Sequence, residues 1–130
     1  MTGKSMINIS AIYQDVKELL GSDKSGHGMD HVDRVLKLAV TFAENERADK
    51  EIVTLATLLH DVDDYKIFDE EHAKNLLNAN TILDKYNIAD ETKSNVLNII
   101  RSMGYNKYVE GVRPDTLEGM IVSDADMCDA

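Results

Sequence analysis

The most constraining stretch of this chain is Ile52-Val53-Thr54-Leu55-Ala56-Thr57-Leu58-Leu59, followed at once by His60-Asp61-Val62-Asp63-Asp64. Ile52, Leu55, Ala56 and Leu59 recur at helical spacing, while Val53, Leu58 and Val62 fall off that stripe. A helix apolar on most of its sides belongs inside a domain rather than on its surface. This one ends by delivering an imidazole and a carboxylate to buried ground. A buried carboxylate must be paired, hydrogen-bonded or bound to a cation, because an unpaired buried charge is far too costly. Taken alone, such a pair reads as a hydrogen-bonded polar couple, so the rest of the chain has to decide its role.

The other segments point to an all-helical domain. Apolar residues recur at three-to-four spacing throughout, no stretch alternates over a strand's length, and Pro114 is the only proline. Residues 1–130 read as one domain, with no repeat and no linker to divide them. The expectation is a single compact bundle of five to six helices. A first amphipathic helix runs from Ile7 to Leu20 and stops at Gly21, and a glycine-flanked His27 follows in a loop. A second runs from about Asp30 to Arg47, with His31, Arg34, Val35, Leu38, Ala39 and Phe42 on one stripe. His31 and Arg34 are therefore expected to point inward or to the core's edge.

Asp49 is placed to cap the third helix, the apolar one. Asp69 can cap a fourth, about Glu70 to Tyr86, with Ala73, Leu76, Leu77, Ile82 and Leu83 inside. Asp90 can cap a fifth, about Glu91 to Met103. A polar loop with Tyr105, Lys107, Tyr108 and Arg113 leads to a last helix from near Thr116.

Composition limits the partners. A net charge of −10 argues against a nucleic-acid polymer, which is gripped by basic surface. A small phosphorylated molecule remains open, because it needs only a local cation cluster. No apolar run reaches the length of a membrane span, and the first residues lack the apolar core of a signal peptide. With a single cysteine, Cys128, the expectation is a cytoplasmic protein that makes no membrane contact. Oligomeric state is not legible.

Helical phasing turns His31, His60, Asp61 and Asp126 inward from three helices. Two imidazoles and two carboxylates suit one divalent ion in an octahedral site with positions to spare. Manganese, iron, nickel, cobalt and magnesium all fit such a set, whereas zinc more often takes four tight ligands including sulfur.

The order of these residues resembles the HD-domain superfamily of metal-dependent phosphohydrolases. His31-Val-Asp-Arg34-Val looks like that family's H-x-x-R-V segment, Leu58-Leu59-His60-Asp61 like its L-L-H-D, and Asp124-Ala125-Asp126-Met127-Cys128-Asp129 like its D-A-D-x-x-D. The resemblance covers about residues 26–130. It implies an all-α bundle with His31, His60, Asp61 and Asp126 as ligands, Asp124 being the rival for the fourth place. Relatives of this branch continue past the last motif, so truncation at the C-terminus is one reading of a chain that stops at Ala130. They carry further histidines where a second metal binds; His72 is the nearest equivalent here and reads as surface, which leaves one metal.

The implied chemistry is hydrolysis of a phosphate ester or anhydride, of a nucleotide by analogy. Asp64 is the candidate general base, with Asp63 as the spare. Lys66 and Arg34 are candidates to offset phosphoryl charge. His27, Arg101, Tyr105 and Lys107, with Arg113, are candidates to line the mouth. The competing reading is a helical module that holds a phosphorylated ligand or partner without turnover. A di-iron oxygenase is a more distant rival, for want of a second ligand set.

Overall fold

The computed structural model describes residues 7–20, 29–63, 70–103, 111 and 114–129. Its described helices are α1 (Ile9–Leu20), α2 (Met29–Glu46), α3 (Lys50–Leu59), α4 (Glu70–Asn75), α5 (Leu77–Lys85), α6 (Asp90–Arg101) and α7 (Leu117–Cys128), and no strand occurs among the described residues. The all-α bundle is as expected. No helix among the described residues is long and apolar enough to cross a membrane.

α3 is the axis. Val53, Leu55, Ala56, Leu58 and Leu59 are fully buried, and so is Val62 just beyond, so the residues off the main stripe are as interior as those on it. Ile52 is only partly buried. α1, α2, α6 and α7 all pack on α3, which is why it is apolar nearly all round. The Asp49 side chain accepts from the Glu51 and Ile52 amides and starts the helix as expected. The Asp49 amide donates to Glu118 Oε2 at 2.8 Å, which ties the start of α3 to the first turn of α7.

α2 buries Val32, Val35, Ala39 and Ala43. The buried stripe is thus rotated from the expected one: Leu38 and Phe42 are half-buried at its edge, and Arg34 is exposed. α2 ends through Arg47, which has φ 60, while the Ala48 amide closes back on the Ala43 carbonyl at 2.9 Å. Asn87 (φ 55) and the Ile88 amide on the Leu83 carbonyl repeat this closure after α5.

The expected fourth helix is broken. Leu76, 4% exposed, takes the left-handed conformation (φ 51) and separates α4 from α5, which leaves Leu77 exposed rather than inside. A leucine strained in this way is held by its surroundings. Asp63 caps α5 from outside: its two oxygens accept from the Asn78 amide at 2.7 Å and the Ala79 amide at 2.8 Å. Asn78 Nδ2 donates in turn to the Val62 carbonyl at 2.8 Å. The turn after α3 is thereby locked to the break between α4 and α5. The Ala73 side chain and the Asp69 cap lie outside the described residues. α6 starts one residue earlier than expected, with Ala89 at its N-cap position and Asp90 inside its first turn.

Thr116 caps α7 through a hydrogen bond from the Gly119 amide. Gly119 is required by space: a Cβ there would meet Pro114 Cβ at 2.7 Å and Ile99 Cγ1 at 3.2 Å. Its absence lets α7 lie close to α6.

Candidate metal centre

Three helices that pack on one another, α2, α3 and α7, bring the sequence-predicted quartet together. His31 is in the first turn of α2, His60 is the C-cap of α3 with Asp61 next in the turn, and Asp126 is in the last turn of α7. One ligand atom each from His31, His60 and Asp126 lies within 4.8 Å of the other two. His31 Nε2 is 2.9 Å from Asp126 Oδ1, and His60 Nε2 is 3.3 Å from the same oxygen. Asp61 joins through the imidazoles: its Oδ2 is 3.5 Å from His60 Nε2 and 4.0 Å from His31 Nε2. The two rings are tilted by 58° with centroids 5.7 Å apart.

Both rings present Nε2 to the centre because Nδ1 is engaged elsewhere. His60 Nδ1 donates to the Thr57 carbonyl at 2.6 Å, since a carbonyl oxygen only accepts. His31 Nδ1 meets Asp129 Oδ2 at 2.7 Å. With a hydrogen on Nδ1, the His31 Nε2 lone pair faces the Asp126 carboxylate, and that contact needs a proton or a cation between its atoms. Among the described residues, His60 Nε2 and Asp61 Oδ2 are buried and make no hydrogen bond of good geometry, although they stand 3.5 Å from each other and His60 Nε2 stands 3.3 Å from Asp126 Oδ1. Buried polar atoms left in that state are rare and call for an explanation. A divalent cation supplies one, and the nitrogen and oxygen donors are of the kind that imidazole- and carboxylate-binding metals accept. The residues present therefore fit a metal ion.

The electrostatics agree. Burial, the largest single influence on His60, pushes its pKa down, but Asp61, Asp126 and the Thr57 carbonyl outweigh it and raise it to about 9. Burial likewise works to raise Asp126, and the two imidazoles overcome it and hold the carboxyl below its usual range. Without a metal, the cluster keeps a positive charge on an imidazole among carboxylates.

The remaining candidates divide. Asp124 is exposed, because two residues turn it about 200° round α7 from Asp126. Arg34, expected inward or at the core's edge, is 58% exposed, and its Nε donates to Asp129 Oδ1 at 2.7 Å. Asp63 is occupied as the cap of α5, and burial raises its carboxyl against the pull of the Ala79 and Asn78 amides. Arg101 is exposed at the end of α6. Asp64, Lys66, His27, Tyr105, Lys107 and Arg113 lie outside the described residues. The residue that sequence reasoning passed over is Asp129. Its signal was available: it lies three residues beyond Asp126, on nearly the same face of the helix.

A profile of the HD domain matches residues 28–130, and the chain belongs to the HD domain family. HD domains bind divalent metal ions, and among the described residues the His/Asp cluster has donors that could hold one. The chain is 34% identical to YpgQ of Bacillus subtilis strain 168 over 119 residues, which covers 88% of this chain and 56% of that protein. A protein from Lactobacillus plantarum has a crystal structure similar to this one, with a TM-score of 0.84 at 31% identity, covering 98% of this chain and 58% of the other. A Bacillus thuringiensis protein described as an HD-superfamily hydrolase gives 0.73 at 33% identity, over 94% and 57%. YpgQ in a crystal structure with ADP gives 0.69 at 31% identity, over 94% and 57%. The chain spans a little over half the length of these relatives.

Proposed function

We propose that this domain is a single-metal phosphohydrolase acting on a phosphate ester or anhydride of a nucleotide. The observation that carries the reading is the convergence of His31 Nε2, His60 Nε2 and Asp126 beside Asp61 Oδ2, which is buried and makes no hydrogen bond among the described residues. Nucleotide chemistry draws its support from YpgQ, a relative crystallised with ADP.

His31, His60, Asp61 and Asp126 would hold the ion. When bound, it supplies Lewis-acid polarisation of a phosphoryl oxygen and lowers the pKa of a water. Manganese, iron, nickel, cobalt and magnesium are the candidates. Asp64 takes the proton of the attacking water. Lys66 and Arg34 offset the charge gathering on the phosphoryl oxygens, Arg34 from a fixed place beside the cluster because Asp129 holds it. For His27, Arg101, Tyr105 and Lys107 the proposed role is contact with the nucleotide.

The test is metal analysis of the purified protein, followed by a panel of nucleoside mono-, di- and triphosphates with added Mn2+, read for phosphate and pyrophosphate. One equivalent of metal with phosphate or pyrophosphate release, lost in Asp64→Asn, is the expected result. Metal uptake and ADP binding without any release would instead make the domain a nucleotide-holding module. Asp64→Asn turning over at the parent rate would remove the base role from Asp64.

A further inference from the structure

Asp126 and Asp129 stand three residues apart on α7 and grip the same imidazole from opposite sides. Asp126 Oδ1 is 2.9 Å from His31 Nε2, and Asp129 Oδ2 is 2.7 Å from His31 Nδ1. The second oxygen of Asp129 accepts from Arg34 Nε at 2.7 Å. His31 and Arg34 are themselves three residues apart on α2, so both oxygens of one carboxylate are taken by donors from one helix face. A carboxylate fixed at both oxygens cannot turn away from the ring.

We propose that Asp129 is the positioning residue for His31: it fixes the hydrogen on Nδ1, aims Nε2 at the metal centre, and is itself held in register by Arg34. The comparison with His60 sharpens the point. His60 obtains the same tautomer from the Thr57 carbonyl, three residues away in its own helix. His31 lies in the first turn of α2, and no residue of that helix stands three positions before it. It therefore takes its acceptor from a carboxylate 98 positions along the chain. An ionised acceptor makes a stronger bond than a carbonyl and raises the ligand's basicity. Outer partners of this kind change metal affinity by about 10–100-fold.

The metal-affinity part of this inference rests on the reading of the cluster as a metal site; the tautomer part does not. The experiment uses the full chain and its Asp129→Ala and Asp129→Asn variants. Long-range 1H–15N spectra of the metal-free proteins at alkaline pH report which ring nitrogen of His31 carries the hydrogen. Free Mn2+ measured by electron paramagnetic resonance gives the Mn2+ dissociation constant. In the parent, His31 is expected as the Nδ1–H form. Asp129→Ala should shift His31 toward the Nε2–H form and weaken Mn2+ about 10–100-fold. Asp129→Asn, whose amide oxygen still accepts from Nδ1, should keep the tautomer and lose only part of the affinity.

A mere tether between α7 and α2 would lower the melting temperature of both variants without moving either readout, and that result overturns the proposal. If Asp129→Ala does not fold, Asp129→Asn and the parent decide it: a parent His31 in the Nε2–H form refutes it outright. If the parent takes up no Mn2+, the metal-site reading fails, and the tautomer measurement still tests Asp129.

Discussion

Replacing Asp63 by alanine separates two roles that one carboxylate could play. Asp63 is 3% exposed, and its two oxygens accept from two amides in the first turn of α5, those of Asn78 and Ala79. The alanine variant leaves both amides without an acceptor in a place that water reaches poorly. Hydrogen bonds to a charged group contribute about 1.5–3 kcal/mol each, and loss of a helix cap costs about 0.5–2 kcal/mol. Burial of the carboxylate offsets part of this, since it raises the Asp63 pKa above its usual value. A net loss of roughly 2–3 kcal/mol follows, or roughly 8–12 °C in melting temperature for a domain of this size. Thermal unfolding followed by circular dichroism measures it. Amide exchange localises it, because the Asn78 and Ala79 protons should lose protection first. Asp63→Asn keeps one oxygen acceptor and should lose about half as much. A melting temperature within about 2 °C of the parent, with both amides still protected, would refute the capping argument. If Asp63 handled the attacking water instead, Asp63→Asn would abolish turnover and leave stability unchanged.

Gly119→Ala places a methyl 2.7 Å from the rigid Pro114 ring and should destabilise the domain by about 1–3 kcal/mol in denaturant melts; an unchanged midpoint would show that α7 can shift freely. Arg47→Gly relieves a left-handed residue at an exposed helix end and should stabilise by roughly 0.5–1 kcal/mol in the same melts. Mn2+ at a hundredfold excess over its dissociation constant should raise stability by about 2.7 kcal/mol, and Asp126→Ala should abolish that rise.

Lys85 and then Tyr86 donate to Asp15 and hold its carboxyl below the usual value. A depressed carboxylate contributes its full stability above the unfolded value, about pH 4, and loses it as pH falls through the lower folded value. The gap in melting temperature between the parent and Asp15→Asn should therefore be present at neutral pH and close below about pH 4. A gap that stays constant into acid would show that no linkage exists there.

Much of the domain was legible from local pattern. A helix buries a face set by its own spacing, so the apolar run 52–59 declared a central helix, and Asp49 and Thr116 declared where two helices begin. The same phasing turned His31, His60, Asp61 and Asp126 toward one interior, and the folded chain brings them there. Phasing fails where position on a helix edge matters. Arg34 was expected inside or at the core's edge and is 58% exposed, because the buried stripe of α2 is centred on Val32, Val35, Ala39 and Ala43.

Tertiary structure alone decided how the polar groups are shared. Nothing near Asp63 in sequence shows that it caps a helix fifteen residues on, and nothing near Leu76 shows that the fourth helix breaks there. Asp129 meets His31 across 98 positions; its spacing from Asp126 gives its helix face but not this partner. Which face a residue takes is a property of its own turn, whereas its partner depends on how separate helices dock. The first is written in residue spacing; the second exists only once the core has been packed.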